Sequence, residues 1–146
     1  MAAPDCIFCQ IIAGKLPAKV VYEDDHTLAF LDINPLSRGH TLVVPKAHST
    51  DIFDTEDATL GALAVSTKKV AAVVRQAMNA PAVNLLNANG SMAGQTVFHL
   101  HLHIVPRYQG DGLRAVGMHA TGASKYTETN AEGVQQAIQT AFGSVK

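Results

Sequence analysis

The stretch FHLHLHIVP, residues 98 to 106, sets His99, His101 and His103 at every second position. In an extended chain successive side chains point to opposite faces. The three imidazoles therefore share one face, and Leu100, Leu102 and Ile104 share the other. One metal ion cannot collect all three rings. Residues two apart on a strand are about 6.6 Å apart and residues four apart about 13 Å, whereas the ligands of a zinc ion converge to about 2.0–2.1 Å from it. Adjacent members can share a metal, and packing alone rarely repeats so specialised a side chain. Nucleophilic catalysis remains. Imidazole titrates near pH 6.5, so much of it is unprotonated at neutral pH and can attack; it is also a serviceable leaving group. Those properties suit phosphoryl or nucleotidyl transfer through a phosphorus–nitrogen intermediate, with the flanked middle ring, His101, placed to attack.

Such a transition state needs donors for its negative oxygens and little else besides alignment. The tripeptide GQT, residues 94 to 96, directly abuts the histidines. It offers Gly94 for close backbone approach, the Gln95 amide, and the Thr96 hydroxyl with its backbone N–H. A second constellation lies at the N-terminus, where the only two cysteines, Cys6 and Cys9, form one C-x-x-C. Either they bind a metal together, which needs two further ligands to close a tetrahedron, or they form a redox pair. The redox reading expects a thioredoxin-like βαβ unit, and only a handful of residues precede Cys6, so a structural zinc is favoured. His26 and His119 fall in polar, turn-like segments and read as solvated; Lys68 and Lys69 read as the exposed side of a helix.

The elements that must hold these groups follow from the pattern. VVYEDDHTLAFLDI, residues 20 to 33, gives two β-prone runs around an acidic turn, which is a hairpin. NPLSRG is a loop, and HTLVVP, residues 40 to 45, is a buried-type strand ending at Pro45. From Asp54, taken as the N-cap, to about Asn79 the chain reads as a helix whose Leu60, Leu63, Val70, Val74, Ala77 and Met78 make one apolar face. Residues 83–87 and 97–105 are further strands. Residues 106–129, with Gly110, Gly112, Gly117 and Gly122, read as irregular. A last helix, Asn130 to about Phe142, turns Val134, Ile138, Ala141 and Phe142 inward. The order predicts an α+β fold: a mostly antiparallel sheet with one long helix packed on it and a C-terminal helix.

The 146 residues fit one domain, 1–146, and can bury a sizeable core. A hydrophobic fraction of 47% and a charged fraction of 16% are those of a globular protein. With a formal net charge of −1, nothing recommends a nucleic acid or an acidic membrane as partner, so any phosphate recognition must be local. No apolar run approaches a bilayer span, and MAAPDCIFCQ lacks the features of a secretion signal. Together these predict an intracellular, cytoplasmic protein.

HLHLHIV matches the pattern His-φ-His-φ-His-φ-φ, with φ apolar, that gives the histidine triad superfamily its name, and DINPLSRGHTLVVPKAH resembles its upstream signature. The resemblance covers about residues 5 to 112, leaving 113–146 as a C-terminal extension. PRYQGDG and CIFCQII look most like the bacterial-type branch, between the nucleoside phosphoramidase and fragile-histidine-triad groups. It implies a homodimer with a five-stranded sheet in each subunit. The implied activity is a purine nucleotide hydrolase or nucleotidyl transferase that forms a nucleotidyl-histidine and releases a nucleoside monophosphate. Carried over by position, His101 is the nucleophile, His103 polarises near the phosphate, and His40 hydrogen-bonds the triad's relay. Asp32 holds the ribose hydroxyls, Phe30 and Ile33 line the base pocket, and Gly94, Gln95 and Thr96 contact the phosphate and leaving group. The branch adds His48 and His99 to Cys6 and Cys9 as zinc ligands, and a zinc-bound His99 cannot also act as an acid. Where the family carries an amide in the loop, alignment on Gly90 puts Ala88, so either Asn87 or Asn89 supplies it. Phosphoramidates and dinucleoside polyphosphates both fit as substrates. A dimeric, zinc-stabilised nucleotide-binding protein with incidental turnover is the alternative from another class. A metal-dependent hydrolase using the His-x-His pair is disfavoured by geometry.

Overall fold

The structure is a computed structural model that describes residues 3–113 and 128–144. Chain order runs α1 (Ile7–Ile12), β1 (Val20–Glu23), β2 (Thr27–Leu31), β3 (Thr41–Pro45), α2 (Asp57–Ala77), β4 (Ala82–Leu86), a 3-10 turn (Ser91–Ala93), β5 (Leu102–Arg107) and α3 (Glu128–Ser144). The five strands form one sheet in the order β1-β2-β3-β5-β4, with every neighbouring pair antiparallel. The expected α+β architecture is present.

Asp24 makes the β1–β2 hairpin: its carboxylate accepts from the backbone N–H groups of His26 and Thr27, both at 2.8 Å. Alternation then splits β2 and β3 between two layers. Ala29, Leu31 and Val43 face a core shared with Leu63, Val70 and Val74 of α2 and Val134 and Ile138 of α3. Leu28, Phe30, Leu42 and Val44 face the other way, where Phe8 of α1 covers them. Burying a Val, Leu or Phe contributes about 1.5–3 kcal/mol, several times an exposed i,i+4 pair, so these stripes decide which face each helix presents. The apolar faces read for both long helices are the buried ones, with Phe142 stacked on Tyr22 at 5.2 Å. Lys68, Lys69 and His26 are exposed, as expected. Among the described residues no helix is long and apolar enough to cross a membrane.

Three expectations are corrected, and one element was not expected. The long helix starts at Asp57 with Glu56 at its cap, because Asp54 closes the preceding turn, accepting from the N–H groups of Thr50 and Asp51 at 3.0 Å. The triad strand starts at Leu102 rather than Val97, since residues 97–99 bend and only from Leu102 does the chain pair with β3 and β4. That strand also runs through Pro106 and Arg107, taken above as irregular. The helix α1 had no counterpart in the sequence reading: Cys6 caps it, its thiol accepting from the Cys9 N–H at 3.3 Å. Gly117, His119 and Gly122 lie outside the described residues.

Candidate functional site

Register places the site. Directly opposite residues of antiparallel strands point the same way, so Phe30 opposite Leu42 and Leu42 opposite His103 form one row on the face under α1. A cavity of about 410 Å³ opens there, with Phe30, Asp32 and Ile33 on one side and His101 and His103 on the other. Ile33 is 82% exposed, an apolar side chain left bare at the rim of that cavity.

The hydrogen bonds assign a proton to each ring. A carbonyl oxygen only accepts, and the His99 carbonyl sits 2.7 Å from Nδ1 of His101. His101 therefore carries its proton on Nδ1, and Nε2 keeps a free lone pair. On the neighbouring ring the logic runs through three groups. The Leu36 N–H donates to Nδ1 of His40 at 2.9 Å, so His40 is protonated on Nε2 and donates to Nδ1 of His103, also at 2.9 Å. His103 is left with its proton on Nε2. One ring thus offers an unprotonated nitrogen and its neighbour an N–H donor, with centroids 4.9 Å apart.

Burial keeps these rings neutral. It pushes His40 down to about 3, helped by the charges of His103 and His101. His103 falls to about 4 through burial and then His101. His101 is lowered by burial, with the His99 carbonyl opposing. Burial raises Asp32, against the hydrogen bond its Oδ1 accepts from the Asn34 N–H at 2.8 Å. The 3.5 Å approach of Asp32 to His40 is therefore a contact with a neutral imidazole, not an ion pair.

The loop before the triad divides its labour differently from the expectation. Gln95 is only 4% exposed: its oxygen accepts from the Gly90 N–H at 2.7 Å, and its nitrogen donates to the carbonyls of Thr50 at 2.7 Å and Val97 at 3.1 Å. Its amide is fully engaged in shaping the loop and does not face the cavity. Gly94 takes a left-handed φ of 95° and gives its N–H to Ser91, while the space where a Cβ would stand is open. Thr96 lines the cavity, exposed, its N–H and hydroxyl without a partner among the described residues. Of the two amides flanking Ala88, Asn87 reaches the triad, donating to the His101 carbonyl at 3.0 Å. Asn89 supports it, donating to Asn87 and accepting from the Ile52 N–H at 2.8 Å.

The ring of His99, named with the other two as a candidate catalytic group, does not line the cavity; its carbonyl faces His101 instead. Nε2 of His99 donates to the Pro45 carbonyl at 2.8 Å, which frees Nδ1 as a ligand atom. That Nδ1 lies 3.3 Å from Sγ of Cys6, 3.5 Å from Sγ of Cys9 and 3.1 Å from Nδ1 of His48. Cys9 and His48 are 3.4 Å apart. Two thiols and two imidazoles converging at these distances could hold a metal ion as a Cys2His2 donor set, and the expected four residues are together. Asp32, His40 and His103 also converge, but there the tautomers oppose a metal: ligation through Nε2 of His40 would move its proton to Nδ1, against the Leu36 N–H.

Sequence reasoning missed Phe8. Its ring stands edge-on to His101 at 5.2 Å and 89°, to Phe30 at 5.4 Å and to His99 at 5.9 Å, at the hub of both sites. The clue was in the sequence: Phe8 lies between two cysteines, with Ile11 and Ile12 at helical spacing.

Known proteins share this plan. The family model of the HIT domain matches residues 13–110. The "Protein hit" of Bacillus subtilis is 43% identical over 137 residues, 93% of each chain. The adenylylsulfatase HINT3 of Arabidopsis thaliana is 41% identical over 111 residues, 76% of this chain and 56% of that one. A zinc-bound histidine triad family protein from Mycobacterium smegmatis superposes with a TM-score of 0.82 at 36% identity, covering 97% of this chain and 95% of the other. The domain match, these identities and the shared fold make this chain a member of the HIT family, of the bacterial type.

Proposed function

We propose that the protein is a nucleotide hydrolase or nucleotidyl transferase that works through a covalent nucleotidyl group on His101. Nε2 of His101 attacks the α-phosphorus; a P–N bond forms as the bond to the leaving group breaks. That group takes the bonding pair and a proton from water. The ring is then a cation, with its Nδ1–H still on the His99 carbonyl, a charge-assisted bond that stabilises it. Water attacks the phosphorus and gives a proton to the hydroxide left by the first step, the P–N bond breaks, its pair returns to Nε2, and a nucleoside monophosphate leaves. The Nε2–H of His103 and the N–H and hydroxyl of Thr96 are the donors for the phosphoryl oxygens. Oδ2 of Asp32 accepts from the ribose hydroxyls, and Phe30 and Ile33 hold the purine.

The observation that carries this reading is the 2.7 Å bond from Nδ1 of His101 to a carbonyl, which leaves an unprotonated nitrogen in the cavity. The kinship with an adenylylsulfatase supports an adenosine-containing substrate. Phosphoramidates and dinucleoside polyphosphates remain the two substrate classes. Zinc, held by Cys6, Cys9, His48 and His99, would cross-link α1 to the sheet and take no part in the reaction. Two copies would pair across α2 and the sheet edge at β4, which expose Val65 at 57% and Leu85 at 50%.

The test compares His101→Ala with the parent. AMP binding should survive while hydrolysis of an adenosine phosphoramidate falls by orders of magnitude. A quenched reaction should show the adenylyl mass on His101 of the parent. Unchanged turnover in the variant, with no adduct in the parent, would sink the nucleotidyl-histidine and leave an interaction protein as the better reading.

A further inference from the structure

We infer that Phe8 is a positioning residue through which the Cys6–Cys9–His48–His99 cluster sets His101 and the wall of the nucleotide cavity, so that metal loading governs nucleotide binding. This rests on His101 being the nucleophile.

The two sites share a ring and a peptide unit. Phe8 is the second residue between Cys6 and Cys9, so a metal on both thiols fixes the turn of helix that carries it. Its ring, 5% exposed, packs edge-on against His101 and Phe30, one from each side of the cavity. The second route is His99. Its Nδ1 points at the thiols while its carbonyl, on the same residue, holds Nδ1 of His101. Displacing the His99 ring therefore moves the group that fixes the nucleophile's tautomer.

The tether matters because α1 is only six residues long. A helix of that length is not stable by itself in water, so its place depends on Phe8, Ile11 and Ile12 against the sheet and on the two thiols. His48 and His99 reach those thiols from segments 39 to 93 residues away in sequence. Without a metal, the two thiols and two imidazoles hold one another only through contacts of 3.1–3.5 Å; with one, all four are bound to a single point. An edge-on aromatic pair is worth a factor of about three to ten in an equilibrium, which sets the scale of the effect.

The experiment uses the full chain, zinc-loaded and chelator-stripped, with AMP as the probe. It reads AMP affinity by calorimetry and the His101 ring nitrogens by 15N magnetic resonance. Stripping the parent should shift the His101 signals and weaken AMP about three- to tenfold, with far-ultraviolet dichroism retained. Loaded Phe8→Ala should keep its zinc and show the same two changes, and stripping it should cost clearly less than stripping the parent, since only the His99 route remains. The inference is overturned if the stripped parent keeps its His101 signals and AMP affinity, or if Phe8→Ala loses as much again on stripping. Should stripping unfold the chain, the loaded variant decides: unchanged His101 signals and affinity in Phe8→Ala overturn the idea. Failure of the nucleotidyl-transfer reading would be separate, as a loaded parent that forms no adduct yet whose His101 signals still follow the metal.

Discussion

His40 and His103 meet at 2.9 Å, Nε2 to Nδ1, and only one arrangement of protons satisfies both rings and the Leu36 N–H behind them. The order Leu36 to His40 to His103 points the last N–H forward, away from the chain of donors that fixes it. Removing His103 deletes that donor; removing His40 leaves it in place but free to choose the other tautomer. His103→Ala should lower kcat by about 10²–10³, the range for one lost oxyanion donor. His40→Ala should lower it by about 10², the scale of a misplaced group. Steady-state rates on one adenosine phosphoramidate check both. Equal loss in KM alone would contradict the donor role.

The same burial makes the fold sensitive to acid. In the unfolded chain both imidazoles titrate near 6.5, whereas in the fold His40 is held to about 3 and His103 to about 4. Between those limits the unfolded state binds more protons. Their contribution to stability is thus fully present above about pH 6.5 and is lost as pH falls towards the folded values, by at most about 1.4 kcal/mol per pH unit per ring. Urea midpoints from pH 7 to pH 4.5 should fall, and His40→Asn should flatten that slope. An unchanged slope in the variant would mean that His40 is not buried neutral.

Much of this was legible before any coordinates. The hairpin, β3 and the apolar faces of α2 and α3 follow from short-range pattern, and the Cys6–Cys9 pair from its spacing; His48 and His99 came only from the family resemblance. What escaped depended on tertiary partners. Asp54 looks like a helix cap until its carboxylate is found closing the turn at Thr50 and Asp51. The alternation in FHLHLHIVP suggests one continuous strand, yet pairing, which alternation cannot report, starts only at Leu102. Gln95 is a polar residue in a glycine-rich loop and reads as a ligand group; only the positions of Gly90, Thr50 and Val97 show that its amide faces inward.

That distinction can be measured at adjacent residues. Gln95→Ala removes three internal hydrogen bonds and leaves the Gly90 N–H without its acceptor, so stability should fall by about 1–3 kcal/mol. Thr96→Ala, on an exposed side chain, should leave the melting temperature within a degree or so and lower turnover instead. Reversal of the two phenotypes would return Gln95 to the phosphate.

Gly39, next to His40, carries a φ of 92°, and a Cβ there would stand 2.6 Å from Cγ of Met78 and 3.2 Å from Cγ of Pro106. Met78 can swing aside, but the backbone angle remains strained for any L side chain. Gly39→Ala should therefore destabilise by about 1–3 kcal/mol in thermal or denaturant unfolding. Because β3 begins two residues on, at Thr41, the shift reaches His40, and turnover should fall with stability.

The metal quartet makes the last expectation. A redox C-x-x-C would sit between a strand and a helix of a βαβ unit, yet here α1 precedes β1, the first strand, and the thiols face two imidazoles from distant segments. His99 supports the metal reading: its proton is held on Nε2 by the Pro45 carbonyl, and its free Nδ1 is the form a metal takes. Denatured protein should release about one zinc per chain together with two reactive thiols. Chelation of the native chain, or Cys9→Ser, should lower the melting temperature. Stoichiometric disulfide without zinc in freshly purified protein would instead favour the redox pair.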